Sequence, residues 1–273
     1  MSRIVFIGGG NMGRALTGGL IAQGRDPSTI DVVEIDTGAR ERLVRESAVR
    51  AFASPKDADL RGAEAIIVAV KPQGMRDTAQ SIAPYLTNAL VISIAAGIRL
   101  RDLSRWLGNY RKLVRAMPNT PALIRRGITG LFADDGVTAA ERTLAESILG
   151  AVGETMWCER EQQLDAITAV SGSGPAYLFY FLESMIASAE ALGFSAGDAR
   201  RLAYASASGA MALAESSNEM PSTLRAQVTS KKGTTQAALE SLDKSGVKEA
   251  FVEAVKRADA RARELGDELG RDG

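Results

Sequence analysis

The chain has 273 residues, enough for one large domain or two ordinary ones, and its 33 basic and 33 acidic side chains give a formal charge of +0. The basic residues are scattered rather than massed, which excludes a nucleic-acid groove or a polybasic membrane anchor. Histidine is absent and Cys158 is the single cysteine, so the commonest general acid–base, the commonest zinc ligand and any internal disulfide are excluded together. The first predicted element is a strand over Ile4 to Ile7, four uninterrupted β-formers of the kind buried on both faces of a sheet. Gly8, Gly10 and Gly13 follow at the spacing G-x-G-x-x-G. A helix then carries Met12, Leu16, Leu20 and Ile21 on one face until Gln23-Gly24 ends it. Gly8 permits the turn off the strand, Gly10 lets backbone approach a pyrophosphate, and Gly13 lets helix and strand pack closely.

A second apolar run, Ile30 to Ile35, ends at Asp36, about the distance beyond Gly13 at which an acid meets a ribose hydroxyl. Free N–H groups at the helix start, from Asn11 and Met12 onward, face the phosphates. Next come a helix over 37–46, a short segment at Val49-Arg50-Ala51, and a capped helical turn at Ser54-Pro55. Ala65 to Val70 reads as a central strand stopped at Lys71-Pro72. A helix over 75–85, a strand over 89–94, a helix over 100–107 and a strand over 112–116 continue the alternation. This rhythm predicts an α/β doubly wound parallel sheet. Two further strands, 129–133 and 154–158, are expected to flank a helix over 139–149 and to run antiparallel.

Beyond Gln162 the strand-like runs cease. Helical periodicity covers 165–171, 176–192, 196–216, 220–227, 235–243 and 247–265, and the tail from Gly266 to Gly273 reads as frayed. The boundary is expected near residue 160, giving a dinucleotide-binding domain over 1–160 and an all-helical domain over 161–273. These helices carry more apolar face than about a hundred residues can bury alone, so a symmetric partner is expected. No apolar run reaches the ~18 residues of a membrane span. Met1 passes directly into a strand, so no signal peptide is expected, and the reading is a cytoplasmic protein without a metal site.

Three segments fall at the carboxyl ends of predicted strands, where open α/β sheets bind ligands: Val70-Lys71-Pro72-Gln73, Ser93-Ile94-Ala95-Ala96-Gly97, and Arg115 to Pro121 with Pro118 at its centre. Small residues and rigid prolines there suit a wall beside a flat nicotinamide ring, although Pro72 and Pro118 could simply stop strands. In the helical half, Val170-Ser171-Gly172-Ser173-Gly174-Pro175 is either a plain helix start or a hydroxyl-bearing rim. Val228 to Leu239 places Ser230, Gly233, Thr234 and Thr235 at a helix start, where free N–H groups suit a carboxylate and a cap without ligand is the plain alternative. Cys158, in Met156-Trp157-Cys158, reads as a small apolar filler.

Together these motifs resemble the pyrroline-5-carboxylate reductase family across essentially the whole chain: Phe6 to Gly13, Ala69 to Gln73, Arg115 to Pro121, Ser171 to Tyr177, and Val228 to Thr235. The resemblance implies a Rossmann-type domain followed by a helical dimerisation domain that interlocks in a homodimer, with larger rings of dimers in the family. It implies NADPH- or NADH-dependent reduction of (S)-1-pyrroline-5-carboxylate to L-proline. It further implies that Thr235 hydrogen-bonds the substrate nitrogen, that Ser230 to Thr234 supply the carboxylate site with Ser173 on the rim, and that Pro118 and Ala95 to Gly97 lie near the nicotinamide. A cyclic imine takes its proton from water readily, so the lack of histidine fits this chemistry.

Two departures stand out. The family commonly has glycine at one or both of the positions held here by Lys231-Lys232, with Lys232 the unusual one, and Asp36 stands where many members carry residues that receive a 2′-phosphate. An acid there favours NADH, unless Arg40 or Arg42 reaches the phosphate. A β-hydroxyacid dehydrogenase is the nearest rival, but the resemblance of that family rests on a lysine after the domain junction, and none occurs between Lys112 and Lys231. A nucleotide sensor would not need the Gly233-Thr234-Thr235 segment, and a purely structural dimer would not need the glycine fingerprint.

Overall fold

The computed structural model describes residues 2–271. Their contacts form two compact units, one of residues 2–173 with 258–271 and one of 174–257.

The first unit is built on an eight-stranded sheet: β1 (Arg3–Ile7), β2 (Ile30–Val33), β3 (Arg50–Phe52), β4 (Ala63–Val68), β5 (Leu90–Ser93), β6 (Leu113–Met117), β7 (Gly127–Ala133) and β8 (Gly153–Trp157). Their order is β3-β2-β1-β4-β5-β6-β7-β8, with β1 to β6 parallel. The chain winds outward from β1 to β3, then crosses back to β4, so the order reverses between β1 and β4 and opens a ligand crevice there. Alternation along β1 shows why the apolar run is unbroken: Ile4 and Phe6 enter one core cluster, Val5 and Ile7 the other. The first cluster is closed by α1 (Asn11–Ala22), α2 (Thr37–Ser47) and α5 (Ala139–Leu149) through Leu16, Leu43 and Ile148. The second is closed by α3 (Met75–Ile82) and α4 (Leu100–Trp106) through Met75, Ala79 and Leu103. This is the expected doubly wound α/β class.

Several local expectations are corrected. β2 ends at Val33 rather than Ile35, whose side chain is 85% exposed; the backbone there leaves the ladder to begin the cap of α2. Ser54 makes no side-chain cap, and a short 3-10 turn follows at Pro55–Asp57. β7 runs antiparallel to β6, but β8 lies parallel to β7 because α5 provides a crossover between them. The helix expected over 165–171 is α6 (Gln163–Ile167) followed by a π turn, Thr168–Gly172.

The second unit comprises α7 (Gly174–Ala191), α8 (Ala196–Glu215), α9 (Pro221–Gln227), α10 (Thr234–Lys244) and the start of α11 (Val247–Arg271). Within it Phe251 packs edge-on to Tyr177, with ring centroids 5.6 Å apart. The frayed tail is also corrected, because α11 remains helical through Gly266 and Gly270 to Arg271. Glycine costs helix propensity, but packing overrides it. Arg99 pairs with Asp267 at 2.9 Å, and Arg105 donates to the Gly270 carbonyl at 3.0 Å. No described helix is long and apolar enough to cross a membrane.

Candidate active site

The glycine loop lies at the sheet crevice. Gly8 has φ +102, and a Cβ on it would stand 2.7 Å from the Ala69 carbonyl oxygen, so only glycine lets this turn approach the end of β4. A Cβ on Gly13 would stand 2.5 Å from the Gly8 carbonyl oxygen. Gly10 is different: a Cβ there meets nothing within 4 Å, leaving open space over the first turn of α1. Gly10 caps α1 without a side-chain hydrogen bond. The N–H groups of Asn11, Met12 and Gly13 have no partner within the helix and are therefore suited to an anion. This cradle fits the pyrophosphate of a dinucleotide. Val70 adjoins it, with Cγ1 3.3 Å from the position a Gly8 Cβ would take.

At the end of β2 the carboxylates divide their tasks. Asp36 caps α2, its Oδ1 accepting from the Ala39 N–H at 2.7 Å. The Glu34 side chain instead reaches the glycine loop. One oxygen accepts from the Gly9 N–H at 2.8 Å, and the other from the Asp36 N–H at 2.9 Å. Arg40 donates to the Glu34 and Ile35 carbonyls at 2.8 and 3.0 Å and to the Thr37 hydroxyl at 3.1 Å. Sequence reasoning missed Glu34. Its only signal was an acid two places before the expected one.

The three loops at the strand ends are placed as follows. Lys71 is exposed and caps a 3-10 turn over Pro72–Gly74. Ala95 and Gly97 are buried; Gly97 has φ +76, and a Cβ on it would lie 2.9 Å from the Leu269 side chain. Pro118 is buried beside Asn119, whose amide nitrogen donates to the Ser171 carbonyl at 3.2 Å while its oxygen accepts from the Ile128 N–H at 3.0 Å. A Cβ on Gly172 would stand 2.9 Å from the Met117 methyl. The structure thus joins the Arg115 to Pro121 segment to the π turn that leads to Ser173. Such turns are frequent at functional sites. Beneath them Arg115 pairs with Asp165 at 2.9 Å and Glu161 at 3.2 Å, and Glu161 accepts from the Leu100 N–H at 2.8 Å. Asn119 and Arg115 were read only as parts of a motif, because their partners lie far along the chain.

In the helical unit, α10 begins at Gly233, which also caps without a side-chain hydrogen bond. The Gly233 N–H is committed to the Ser230 carbonyl at 3.1 Å, so the open donors are those of Thr234, Thr235 and Gln236. Ser230 and Thr234 are exposed and Thr235 is half-buried. Lys232 has φ +59, the left-handed region that favours glycine, and its N–H donates to the Gln236 side chain at 2.7 Å. That backbone requirement is the physical reason glycine suits this position. Among the described residues no cluster of three or more His, Cys, Asp or Glu could hold a metal ion. Burial pushes the Cys158 thiol above its ordinary range, an inert state for sulfur.

Residues 161–265 match the family model for pyrroline-5-carboxylate reductase dimerisation, and residues 3–97 match that for NADP oxidoreductase, coenzyme F420-dependent. The chain is 43% identical to a pyrroline-5-carboxylate reductase from Pseudomonas aeruginosa over 98% of each chain. A solved pyrroline-5-carboxylate reductase from Coxiella burnetii superposes with a TM-score of 0.91 at 38% identity, covering 97% of this chain and 98% of that one. A Plasmodium falciparum pyrroline carboxylate reductase solved with NADP bound superposes with a TM-score of 0.86 at 26% identity, again over 97% and 98%.

Proposed function

The chain belongs to the pyrroline-5-carboxylate reductase family, and from that premise we propose how its residues share the reaction. It is an NAD(P)-dependent oxidoreductase of proline biosynthesis that reduces the C=N bond of 1-pyrroline-5-carboxylate to give L-proline. Its helical C-terminal part is a dimerisation domain, and the protein forms a homodimer.

The reading of the site rests on one observation: α1 and α10 each begin at a glycine with no side-chain cap, so each offers N–H donors to an anion. The first set, at Gly10, Asn11, Met12 and Gly13, receives the pyrophosphate, with Gly8 shaping the turn. The second, at Thr234 and Thr235 with Ser230 and Gly233 beside it, receives the substrate carboxylate. When bound, the nicotinamide supplies the hydride. Val70, Lys71, Pro72, Ala95, Gly97 and Pro118 form the wall that orients its ring and keeps water out. The Thr235 hydroxyl bonds the imine nitrogen, and Ser173 adds a hydroxyl at the rim. Water protonates a cyclic imine readily, so the protein's task is orientation rather than strong acid catalysis.

In this reading residues 1–160 serve the coenzyme and 161–273 the substrate and the dimer. Acids at the end of β2, with Asp36 among the coenzyme-binding residues, tilt the preference toward NADH over NADPH. The single cysteine suits a reducing, cytoplasmic setting, and rings of dimers are the larger assembly. The test is steady-state coenzyme oxidation with 1-pyrroline-5-carboxylate, using NADH and NADPH side by side. Saturable turnover is expected with both, faster per unit KM with NADH. Tight nucleotide binding without turnover would refute the assignment.

A further inference from the structure

We propose that Glu34, rather than Asp36, is the carboxylate that selects the coenzyme, by accepting the adenosine ribose hydroxyls and repelling a 2′-phosphate. The inference rests on the dinucleotide reading above and deepens it. In a doubly wound sheet the glycine loop carries the adenosine half of the coenzyme past the end of β2, so the selecting acid is the one held against that loop. Glu34 is held there by two hydrogen bonds, from the Gly9 N–H at 2.8 Å and the Asp36 N–H at 2.9 Å. A Cβ on Gly9 would lie 3.3 Å from the same Glu34 oxygen, so the carboxylate packs directly under the loop. Each oxygen spends one lone pair on these bonds and keeps another for a ribose hydroxyl.

Asp36 is committed elsewhere. Its side chain caps α2 through the Ala39 N–H at 2.7 Å, and its exposed position weakens any repulsion by hydration. Arg40, the cation nearest this turn in sequence, is engaged by two backbone carbonyls and the Thr37 hydroxyl. It therefore stiffens the turn rather than offering a free fork to a phosphate. Gly9 contributes nothing to pyrophosphate binding, because its N–H already belongs to Glu34.

The assay is equilibrium binding, independent of turnover. On the wild-type homodimer, 5′-AMP and adenosine 2′,5′-bisphosphate are titrated by calorimetry, then NADH and NADPH by nicotinamide fluorescence. The ligands lacking the 2′-phosphate should bind about tenfold or more tightly than those carrying it. Glu34→Gln keeps the length and an acceptor oxygen for the Gly9 N–H while removing the charge. It should tighten the 2′-phosphorylated ligands and bring each pair to within about threefold, whereas Asp36→Asn should move the ratio less. Equal or tighter wild-type binding of the 2′-phosphorylated ligands would overturn the proposal. So would a ratio closed by Asp36→Asn and not by Glu34→Gln, or a Glu34→Gln protein that loses all four ligands in proportion, which would make Glu34 a clamp only. A protein that discriminates between the AMP ligands as expected but does not turn over the imine would refute the reductase reading alone.

Discussion

Arg115 is the residue whose removal should damage the first unit most. The residue is 3% exposed, and its guanidinium lies between Asp165, 2% exposed, at 2.9 Å and Glu161 at 3.2 Å. Those bonds join β6 to α6 and, through the Glu161 bond to the Leu100 N–H, to the start of α4. Arg115→Met supplies similar apolar bulk but leaves the Asp165 carboxylate buried without its cation, which costs about 3–5 kcal/mol. In a chain of this size that lowers the unfolding midpoint by on the order of 10 °C. Glu161 suffers less, since it retains a backbone donor and part of its hydration.

The assay is urea and thermal unfolding at one fixed protein concentration, because dimerisation makes the midpoint concentration-dependent. Arg115→Met alone should show the full loss. Arg115→Met with Asp165→Leu removes both buried charges and should recover to within about 1 kcal/mol of the wild type, because a well-packed apolar pair replaces a buried ion pair at little cost. A single variant that loses under about 1 kcal/mol, or a double variant no better than the single, would show that the pair is not desolvated as the geometry indicates.

Four further outcomes are expected. Thr235→Ala should lower kcat/KM for the imine by about 10- to 100-fold, the worth of one hydrogen bond to a charged group, with NADH affinity nearly unchanged in a fluorescence titration. Gly13→Ala forces a Cβ to 2.5 Å from the Gly8 oxygen and should cost both stability and coenzyme affinity, whereas Gly10→Ala enters open space and should cost coenzyme affinity with an unchanged unfolding midpoint. Lys232→Gly relieves a left-handed residue at φ +59 and should raise stability by up to about 1 kcal/mol after the entropy cost of glycine, while Lys232→Ala should not. Burial pushes the Glu141 carboxyl up, but its bonds to Lys112 and Thr138 outweigh this and hold it below 4.5. The stability it contributes is therefore present above that value and lost as pH falls through the lowered one, so Glu141→Gln should flatten the acid arm of a stability–pH curve.

The sheet was legible because burial on both faces leaves an unmistakable apolar run, as Ile4 to Ile7 shows. The direction of its last strand was not: nothing local distinguishes a β8 parallel to β7 from an antiparallel one, and α5 decides it. Ile35 misled because an apolar residue beside an apolar run reads as strand, yet the cap of α2 throws it into solvent. The tail misled in the opposite sense. Gly266 and Gly270 read as helix breakers, but there a Cβ would meet Arg99 or Asp102 at 3.0 or 2.5 Å, so glycine is what permits close packing against α4. In the site, the glycine spacing spoke for itself, while Asn119 and Glu34 depend on partners brought near only by folding. The role proposed for the loop before α10 rests on its family resemblance more than on its chemistry.

The two units draw on different sources of stability, and this bears on the loop that we propose binds the substrate. The sheet unit buries large side chains on both faces. The helical unit does not: α7, α9 and α10 have no buried residue, and α8 buries only Ala199 and Ala203. Leu178, Phe179, Tyr180, Leu213 and Met220 are each more than half exposed. Apolar burial is the main force that offsets chain entropy, and a single copy of this unit supplies little of it. The homodimer interface must therefore provide most of that burial. Residues 228–233 hang between α9 and α10, two helices that bury nothing of their own, and one of those residues, Lys232, is held in a strained backbone conformation. Such a loop keeps its shape only while its helices keep theirs. In that reading dimerisation is part of folding this loop, rather than an association of two finished sites.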